Sequence, residues 1–366
     1  MTNLLPAGSK TAAVFNIMKA TLGAGALSLP FTMLSAGVTL GLVLLVVMAA
    51  LSILSLGLIV RAVHKSGKDT YEELVDLLFG RRWCYLYQLA MFVFCFGTSA
   101  VYIVTIYDIV RPVTVHAFGE NPEEWYAVLL TNRLYFSILV TVVVLLPVSL
   151  MKTIDSIRYL TFTGSLCACF LAITSVYVLA RYGVASELHL RYAVEAHGSV
   201  VVVEGSLFLV AYGALTESNI LTSLGPRLNS GDPVIAAAFL MMAVAIVGTF
   251  PLNIYPVRTT VLHSLRPKKY RTLIGMVVST VTVGLAFAVA LALPDVNVIL
   301  GLVGALAGSI ICFLGPAAFN IKLDGGAVYI RDRIYYWAMI IIGLVAFLLG
   351  TYIAILDAIE FYQERG

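Results

Sequence analysis

The chain has 366 residues, of which 60% are hydrophobic and only 12% are charged, with a formal net charge of +3. A soluble domain is nearer half apolar and a quarter charged. This composition therefore excludes a soluble globular protein and predicts an all-α, polytopic membrane protein. The basic residues lie in short loops rather than on one face, so no nucleic-acid partner is expected.

Ten membrane spans are predicted along the chain, and most are separated by short hydrophilic links. They form one transmembrane domain over residues 1–366, with a short cytoplasmic N-terminus (1–10) and a short tail (358–366). Loop 64–83 has an amphipathic pattern and is predicted to lie along the membrane surface. The spans are roughly 11–35, 38–62, 84–110, 134–151, 159–182, 198–224, 234–262, 273–293, 296–320 and 334–357.

The first span contains an unusual run of small residues. Gly23-Ala24-Gly25-Ala26 interrupts its bulky side chains, and Pro30 follows. Glycines weaken a helix, and a broken helix persists in a membrane only where its backbone faces protein or water. Such breaks bind substrates and ions in transporters. Close helix packing at the glycines is the alternative, but Lys19 in the same span favours a polar surrounding.

Loop charges predict a topology and then contradict it. Lys10, loop 61–82 and link 152–158 are basic, whereas loop 111–133 is acidic, which fits a cytoplasmic N-terminus. After the sixth span, ten crossings place the densest basic loop outside. One missing crossing between residues 183 and 233 would remove the conflict. That loop contains Arg258, Arg266, Lys268, Lys269 and Arg271.

Three motifs resemble those of the amino acid/auxin permease family. They are FNIMKATLGAGALSLPF (Phe15–Phe31), similar to its first helix, TFPLNIYPVR (Thr249–Arg258), similar to its eighth, and LPDVNVILGLVGALAGSIICFLGPAAF (Leu293–Phe319), similar to its ninth-to-tenth helix region. The motifs follow the family's order and are distributed over almost the whole length of the chain. The resemblance implies a five-plus-five inverted repeat with one further helix. It also implies amino acid transport coupled to protons or sodium.

The resemblance also implies which residues form the binding sites. The backbone N–H groups of the broken helix are expected to bind a substrate carboxylate, as helix N-termini do. Asn16 and Thr249 correspond to positions linked with a sodium site between helices one and eight, and oxygen ligands suit a hard cation. Hydrogen bonding between helices is the alternative role for these two residues. The predicted substrate-binding residues are Thr21, Leu22, Gly23, Ala24, Gly25 and Ala26.

The same resemblance locates a departure from the family. TESNILTSL (Thr216–Leu224) resembles the segment after the family's seventh helix, so span 198–224 corresponds to helix seven. The sixth helix then has no counterpart. The alternative, in which span 198–224 is helix six and helix seven is lost, gives the same topological conflict.

The predicted function is secondary active transport of amino acids by alternating access. No nucleophile–base pair or acidic cluster is visible in the spans, so no enzyme activity is expected. No cofactor is expected beyond the coupling ion, a proton or sodium, and the partners are an amino acid and the lipid bilayer. The plasma membrane or a vacuolar or lysosomal membrane is the predicted location. The alternative is a transport-inactive truncated or regulatory form, because the missing helix removes half of the site.

Overall fold

The computed structural model describes residues 38–68, 70–119, 122–151, 158–182, 232–265, 270–293, 295–325 and 330–363. Within these ranges the chain is helical throughout, which confirms the predicted all-α class. We number the helices in chain order. They are α1 (Val38–Ser66), α2 (Tyr71–Phe79), α3 (Arg81–Phe118), α4 (Trp125–Thr131), α5 (Arg133–Ser149), α6 (Arg158–Tyr182), α7 (Pro233–Leu265), α8 (Arg271–Ala292), α9 (Val296–Asp324) and α10 (Ile330–Gln363).

Six of the described helices are long and apolar enough to cross a membrane, and α4 with α5 forms a seventh if this bent pair is one span. In α6 the apolar stretch described, Phe162–Val178, is shorter. These helices coincide with predicted spans to within a few residues, except that α3 begins at Arg81 and ends at Phe118 and that α10 extends to Gln363. Helix α4 lies in the predicted loop 111–133, so that part of the loop prediction is wrong. Predicted spans 11–35 and 198–224 lie outside the described residues.

The largest core cluster joins α3, α6, α7 and α8 with the first turns of α9. Phe239 and Phe250 of α7 are fully buried in it. By contrast, α1 leaves most of its apolar side chains exposed, including Ile53 and Val46. Every backbone N–H and C=O must be paired inside a bilayer, and a long helix achieves this with no neighbour. An exposed apolar helix therefore fits a lipid environment.

Two spans depart from regular α-helix. The pair α4 and α5 bends by 84°, and α5 contains a π-helical turn at Thr141–Leu145 just before Pro147. Helix α9 contains two π-helical turns, Gly304–Gly308 and Ile310–Leu314, before its Gly-Pro pair. The π-turns precede prolines in both helices, and proline cannot donate the usual helical hydrogen bond. Sequence periodicity gave no sign of either irregularity.

Helix α2 lies within the predicted surface loop, and it packs on protein. Leu74 and Val75 are buried in a cluster with residues of α1, α3 and α9. Thr70 caps the helix, since its Oγ1 accepts a hydrogen bond from the Glu73 N–H at 3.3 Å. The amphipathic segment therefore forms a helix whose apolar side packs on the helix bundle.

Hydrogen bonds across the bundle show which helix ends lie together. At one end, which we call the basic end, Thr260 of α7 donates to the Glu72 carboxylate at 2.6 Å, and Ser264 donates to the Gln88 side chain at 2.6 Å. Helix α2 and the C-terminal end of α7 therefore lie at the same end of the bundle. The predicted topology required this, and ten simple crossings do not allow it.

The opposite end is defined by a second set of contacts. Tyr177, near the end of α6, donates to the Asp232 carboxylate at 2.8 Å, and Arg181 Nε lies 3.7 Å from the same oxygen. Asp232 directly precedes α7. Residues 182 and 232 therefore lie at the same end, whereas a single crossing between them would separate them. The structure places the topological conflict between these two residues, within the range predicted from charge.

Gly97 of α3 sets the distance between α3 and α9. A Cβ atom added at this residue would lie 2.1 Å from Cγ2 of Val303. Val303 is buried and β-branched, so its side chain has little freedom to move. We expect Gly97→Ala to destabilise the protein by about 1–3 kcal/mol through overpacking, measured as a lower melting temperature in detergent.

Gly284 of α8 provides the matched control, because a Cβ there would have no neighbour within 4 Å. Gly284→Ala should leave the melting temperature unchanged or raise it slightly, since alanine favours helix. Adding Val303→Ala to Gly97→Ala should restore stability. Equal melting temperatures for Gly97→Ala and Gly284→Ala would show that the α3–α9 contact is looser than the structure indicates.

Candidate functional site

The predicted substrate residues Thr21 to Ala26, and the predicted ion ligand Asn16, lie outside the described residues. Their roles stay predictions from sequence. The second predicted ion ligand, Thr249, is described, and it lies in the middle of α7.

Thr249 is 1% exposed, and its hydroxyl donates a hydrogen bond to the Ala245 carbonyl at 2.9 Å. Donation uses the hydroxyl hydrogen and leaves the oxygen lone pairs as acceptors. Two residues later, Pro251 has no N–H to donate to the Val247 carbonyl. This turn of α7 therefore offers two oxygen atoms of the kind that bind hard cations. The arrangement is compatible with the predicted ion-binding role and equally with helix packing.

One polar residue near Thr249 was not predicted from sequence. Asn253 follows it by four residues and so lies on the same face of α7. Its Nδ2 atom is buried and has no hydrogen-bond partner in the described part of the chain. A buried amide without a partner is costly and marks a place where a ligand or further polar group would fit. The motif TFPLNIYPVR contains Asn253, but only the three-dimensional structure shows that this amide is unsatisfied.

Polar contacts connect the helices at the basic end. In addition to the Glu72–Thr260 and Gln88–Ser264 pairs, Arg258 Nη1 donates to the Met151 carbonyl at 2.9 Å. Arg258 is 8% exposed and its guanidinium lies 5.1 Å from the centre of the Tyr255 ring. The prediction that Arg258 belongs to a basic loop is therefore wrong. It lies inside α7, where cation–π and carbonyl contacts compensate its burial.

Aromatic rings also pack against one another at the basic end. Tyr71 of α2 stacks on Tyr87 of α3, with ring centres 5.4 Å apart, and both rings contact Phe319 of α9. Burial raises the pKa of Tyr71 above its ordinary value, so its hydroxyl stays neutral. The side chains at this end thus form a packed layer that joins α2, α3, α7 and α9.

A charged cluster joins α1, α9 and α10 at the same end. Asp324, the last residue of α9, has a side chain only 4% exposed and forms an ion pair with Lys65. Arg61 Nη2 lies 3.4 Å from the same carboxylate, and the Tyr336 hydroxyl donates to it at 2.9 Å. An acid at a helix C-terminus opposes the helix dipole. Arg61 and Lys65 of α1 compensate that unfavourable position of the carboxylate. With Tyr336, the cluster connects α1, α9 and α10.

At the opposite end, a cavity of about 590 Å³ lies between the end of α3 and the α4–α5 bend. Its lining includes Tyr107, Arg111, Asn132 and Arg133. The Arg133 guanidinium lies 5.3 Å from the centre of the Tyr107 ring. The described helices thus carry a packed polar layer at the basic end and a polar cavity at the other.

The decisive observation comes from comparison with protein families. The model of the family described as "Transmembrane amino acid transporter protein" matches residues 6–201 and 200–356. The chain belongs to this family. The match confirms the predicted resemblance, the prediction of a transporter rather than an enzyme, and the multi-pass membrane class.

Individual relatives agree with the family match. The chain is 24% identical over 393 aligned positions to "Putative sodium-coupled neutral amino acid transporter 11" of Bos taurus, covering 94% of this chain and 83% of the relative. It is 24% identical to "Sodium-coupled neutral amino acid symporter 2" of Danio rerio, covering 85% and 74%. It is 34% identical over 173 positions to "Amino acid transporter AVT6A" of Arabidopsis thaliana, covering 46% and 37%.

The alignments also bear on the predicted missing helix. The alignment to the cattle relative spans 393 positions, more than the 366 residues of this chain, so it contains gaps in this chain. The two family-matched segments meet at residues 200–201, between α6 and α7. The contacts of Asp232 exclude a single crossing between residues 182 and 232, and the missing sixth helix stays a prediction. The number of spans predicted for the whole chain stays a prediction.

Proposed function

We propose that the chain is a secondary active transporter that moves neutral amino acids together with sodium. The family match over residues 6–201 and 200–356 carries this proposal. The names of the cattle and zebrafish relatives support a neutral amino acid substrate and sodium coupling. A proton remains the alternative coupling ion, because sodium rests on those names and on Thr249.

The proposed mechanism is alternating access. The amino acid carboxylate binds the N–H groups of Thr21 to Ala26, and sodium binds between Asn16 and Thr249. Release at the basic end requires the polar layer there to separate, including the Glu72–Thr260 and Gln88–Ser264 hydrogen bonds. The Gln88–Ser264 bond joins uncharged groups and contributes about 0.5–1.5 kcal/mol net, whereas the bond to the Glu72 carboxylate contributes about 1.5–3 kcal/mol. Both contributions are small enough for the bonds to break in each cycle.

Uptake into liposomes tests the proposal directly. Purified full-length chain is reconstituted, and uptake of labelled alanine, glutamine and arginine is measured with sodium or choline outside. The expected result is sodium-dependent uptake of alanine and glutamine, with little uptake of arginine. Absence of uptake under sodium and under a proton gradient would favour the transport-inactive form, provided that the protein is folded by its melting curve.

Thr249→Val tests the ion site. Valine keeps the shape of threonine but removes one oxygen ligand. We expect the sodium concentration for half-maximal uptake to rise about tenfold, which corresponds to roughly 1.4 kcal/mol, with a smaller change in amino acid affinity. The measurement is uptake as a function of sodium concentration at saturating substrate.

Thr280→Val of α8 is the matched control. Thr280 makes the same type of hydrogen bond, from its hydroxyl to the Met276 carbonyl at 3.0 Å, but it is exposed on the bundle surface. The control should keep the wild-type sodium dependence. If both variants behave alike, or if uptake follows a proton gradient and ignores sodium, Thr249 has only a packing role.

A further inference from the structure

An apolar groove of about 680 Å³ lies between α3 and α9, and its described lining contains no residue of α7, the helix that carries Thr249. Leu86 and Val93 of α3 form one wall, and Leu306 and Ala318 of α9 form the other. Phe347 of α10 contributes to the lining. No charged residue lines the groove among the described residues.

The groove opens toward the outside of the bundle. Trp83, Leu86 and Leu89 line it and are 60%, 57% and 57% exposed. Side chains of this size would be unfavourable in water. In a membrane they face acyl chains instead, so the groove is open to lipid from the side.

The length of the groove matches one leaflet. Its α3 wall runs from Trp83 to Val93, and ten residues of helix rise about 15 Å. The hydrocarbon core of a bilayer is about 30 Å thick. The groove is therefore about as long as the hydrocarbon part of one leaflet, and Trp83 at its end is a residue type enriched at the membrane interface.

Two exposed arginines, Arg81 and Arg82, begin α3 immediately before Trp83. Asp76 of α2 interacts electrostatically with Arg81, whose Nε also donates to the Tyr85 hydroxyl at 3.0 Å. The other two acids of α2 have partners of their own, because Glu72 accepts from Thr260 and Glu73 lies 3.9 Å from Lys68. Both arginines lie at the basic end, which the charge distribution predicts to be cytoplasmic. Cytoplasmic leaflets carry anionic lipids, and each nearby cation contributes about 1 kcal/mol of attraction.

We propose that this groove is a binding site for an anionic phospholipid. One acyl chain lies along α3 and α9, and the phosphate group lies at Arg81 and Arg82. This acyl chain packs on both π-helical turns of α9, through Leu306 and Ile310. Its binding therefore stabilises the least regular part of that helix.

The test uses purified full-length protein in detergent. Phosphatidylserine or phosphatidylcholine with identical acyl chains is added, and both the melting temperature and the lipid bound per protein are measured, the second by native mass spectrometry. We expect phosphatidylserine to raise the melting temperature by about 3 °C or more, with one lipid bound. Phosphatidylcholine should have a smaller effect.

Two variants distinguish the contribution of the headgroup to binding from that of the acyl chain. Arg81→Gln with Arg82→Gln should weaken phosphatidylserine binding about thirtyfold, from two cations near the phosphate, and should abolish its advantage over phosphatidylcholine. Ala318→Phe should reduce binding of both lipids by filling the groove. Lys68→Gln with Arg271→Gln is the matched control, since it removes two cations near the same end that, unlike Arg81 and Arg82, are not next in the chain to a residue lining the groove.

Several outcomes would overturn the proposal. Equal effects of the two phospholipids on the wild type would do so, as would equal loss of preference in the Arg81/Arg82 and Lys68/Arg271 variants. Stabilisation by cholesterol alone would assign the groove to a sterol. Concentration-dependent dimers that Ala318→Phe disrupts would assign it to a second copy of the chain. If Ala318→Phe fails to fold, the arginine variants and the comparison of the two lipids on the wild type still test the proposal.

Discussion

Gly25→Leu is expected to reduce amino acid uptake at least about tenfold, equivalent to roughly 1.4 kcal/mol in substrate binding, while the protein still reaches the membrane. Leucine is a strong helix former, so it promotes regular helix through the predicted break. Its side chain would also occupy the space that a substrate carboxylate needs beside the backbone N–H groups. The measurement is uptake of labelled alanine by reconstituted protein.

Gly57→Leu provides the matched control in the next span. Gly57 of α1 is exposed, and a Cβ there has no neighbour within 4 Å. The same substitution should therefore leave uptake and melting temperature near wild type. Near-normal uptake by correctly expressed Gly25→Leu would remove the basis for placing the substrate at residues 21–26. Those glycines would then serve helix packing.

Asp324→Asn is expected to lower stability by about 2–3 kcal/mol. The carboxylate is almost fully buried and interacts with Arg61, Lys65 and Tyr336. Removing one partner of a buried ion pair costs about 3–5 kcal/mol. Arg61 and Lys65 are 39% and 41% exposed, so water solvates them in part and the loss is smaller. The melting temperature in detergent should fall by about 5 °C or more.

Glu73→Gln is the control for Asp324→Asn. Glu73 pairs with Lys68 at 3.9 Å, but both side chains are about two-fifths exposed. An exposed pair contributes about 0–1 kcal/mol, so this variant should melt near the wild-type temperature. Cleavage by an added protease between α9 and α10 should also increase only in Asp324→Asn, because the cluster holds α1, α9 and α10 together. Equal melting temperatures for the two variants would contradict this role of Asp324.

Much of the architecture was determined by composition and charge. Runs of about twenty apolar residues have one stable form in a bilayer, the helix, so the spans that form α1 and α6 to α9 were predicted within a few residues, whereas α3 and α10 extend further than predicted. The motifs at Phe15–Phe31 and Thr249–Arg258 indicated the family, which the match over most of the chain confirmed. Local patterns sufficed because lipid leaves the backbone few alternatives.

Other features depended on contacts between distant residues. Sequence placed Arg258 in a loop, but the Met151 carbonyl and the Tyr255 ring stabilise it inside α7. Sequence gave no sign that Asn253 is an unsatisfied amide, or that Asp324 has partners more than 250 residues away. The burial of a polar side chain depends on its hydrogen-bond and charge partners. A local sequence pattern does not show a partner that lies on another helix.

The topology shows both contributions in one place. The sequence by itself established a conflict, because the positive-inside rule and ten crossings disagree after the sixth predicted span. Only the tertiary structure showed which helix ends lie next to each other. The Tyr177–Asp232 and Thr260–Glu72 hydrogen bonds place the ends of α6 and α7. Charge fixes which face a loop prefers, whereas hydrogen bonds of 2.6 to 2.8 Å fix which helix ends are neighbours.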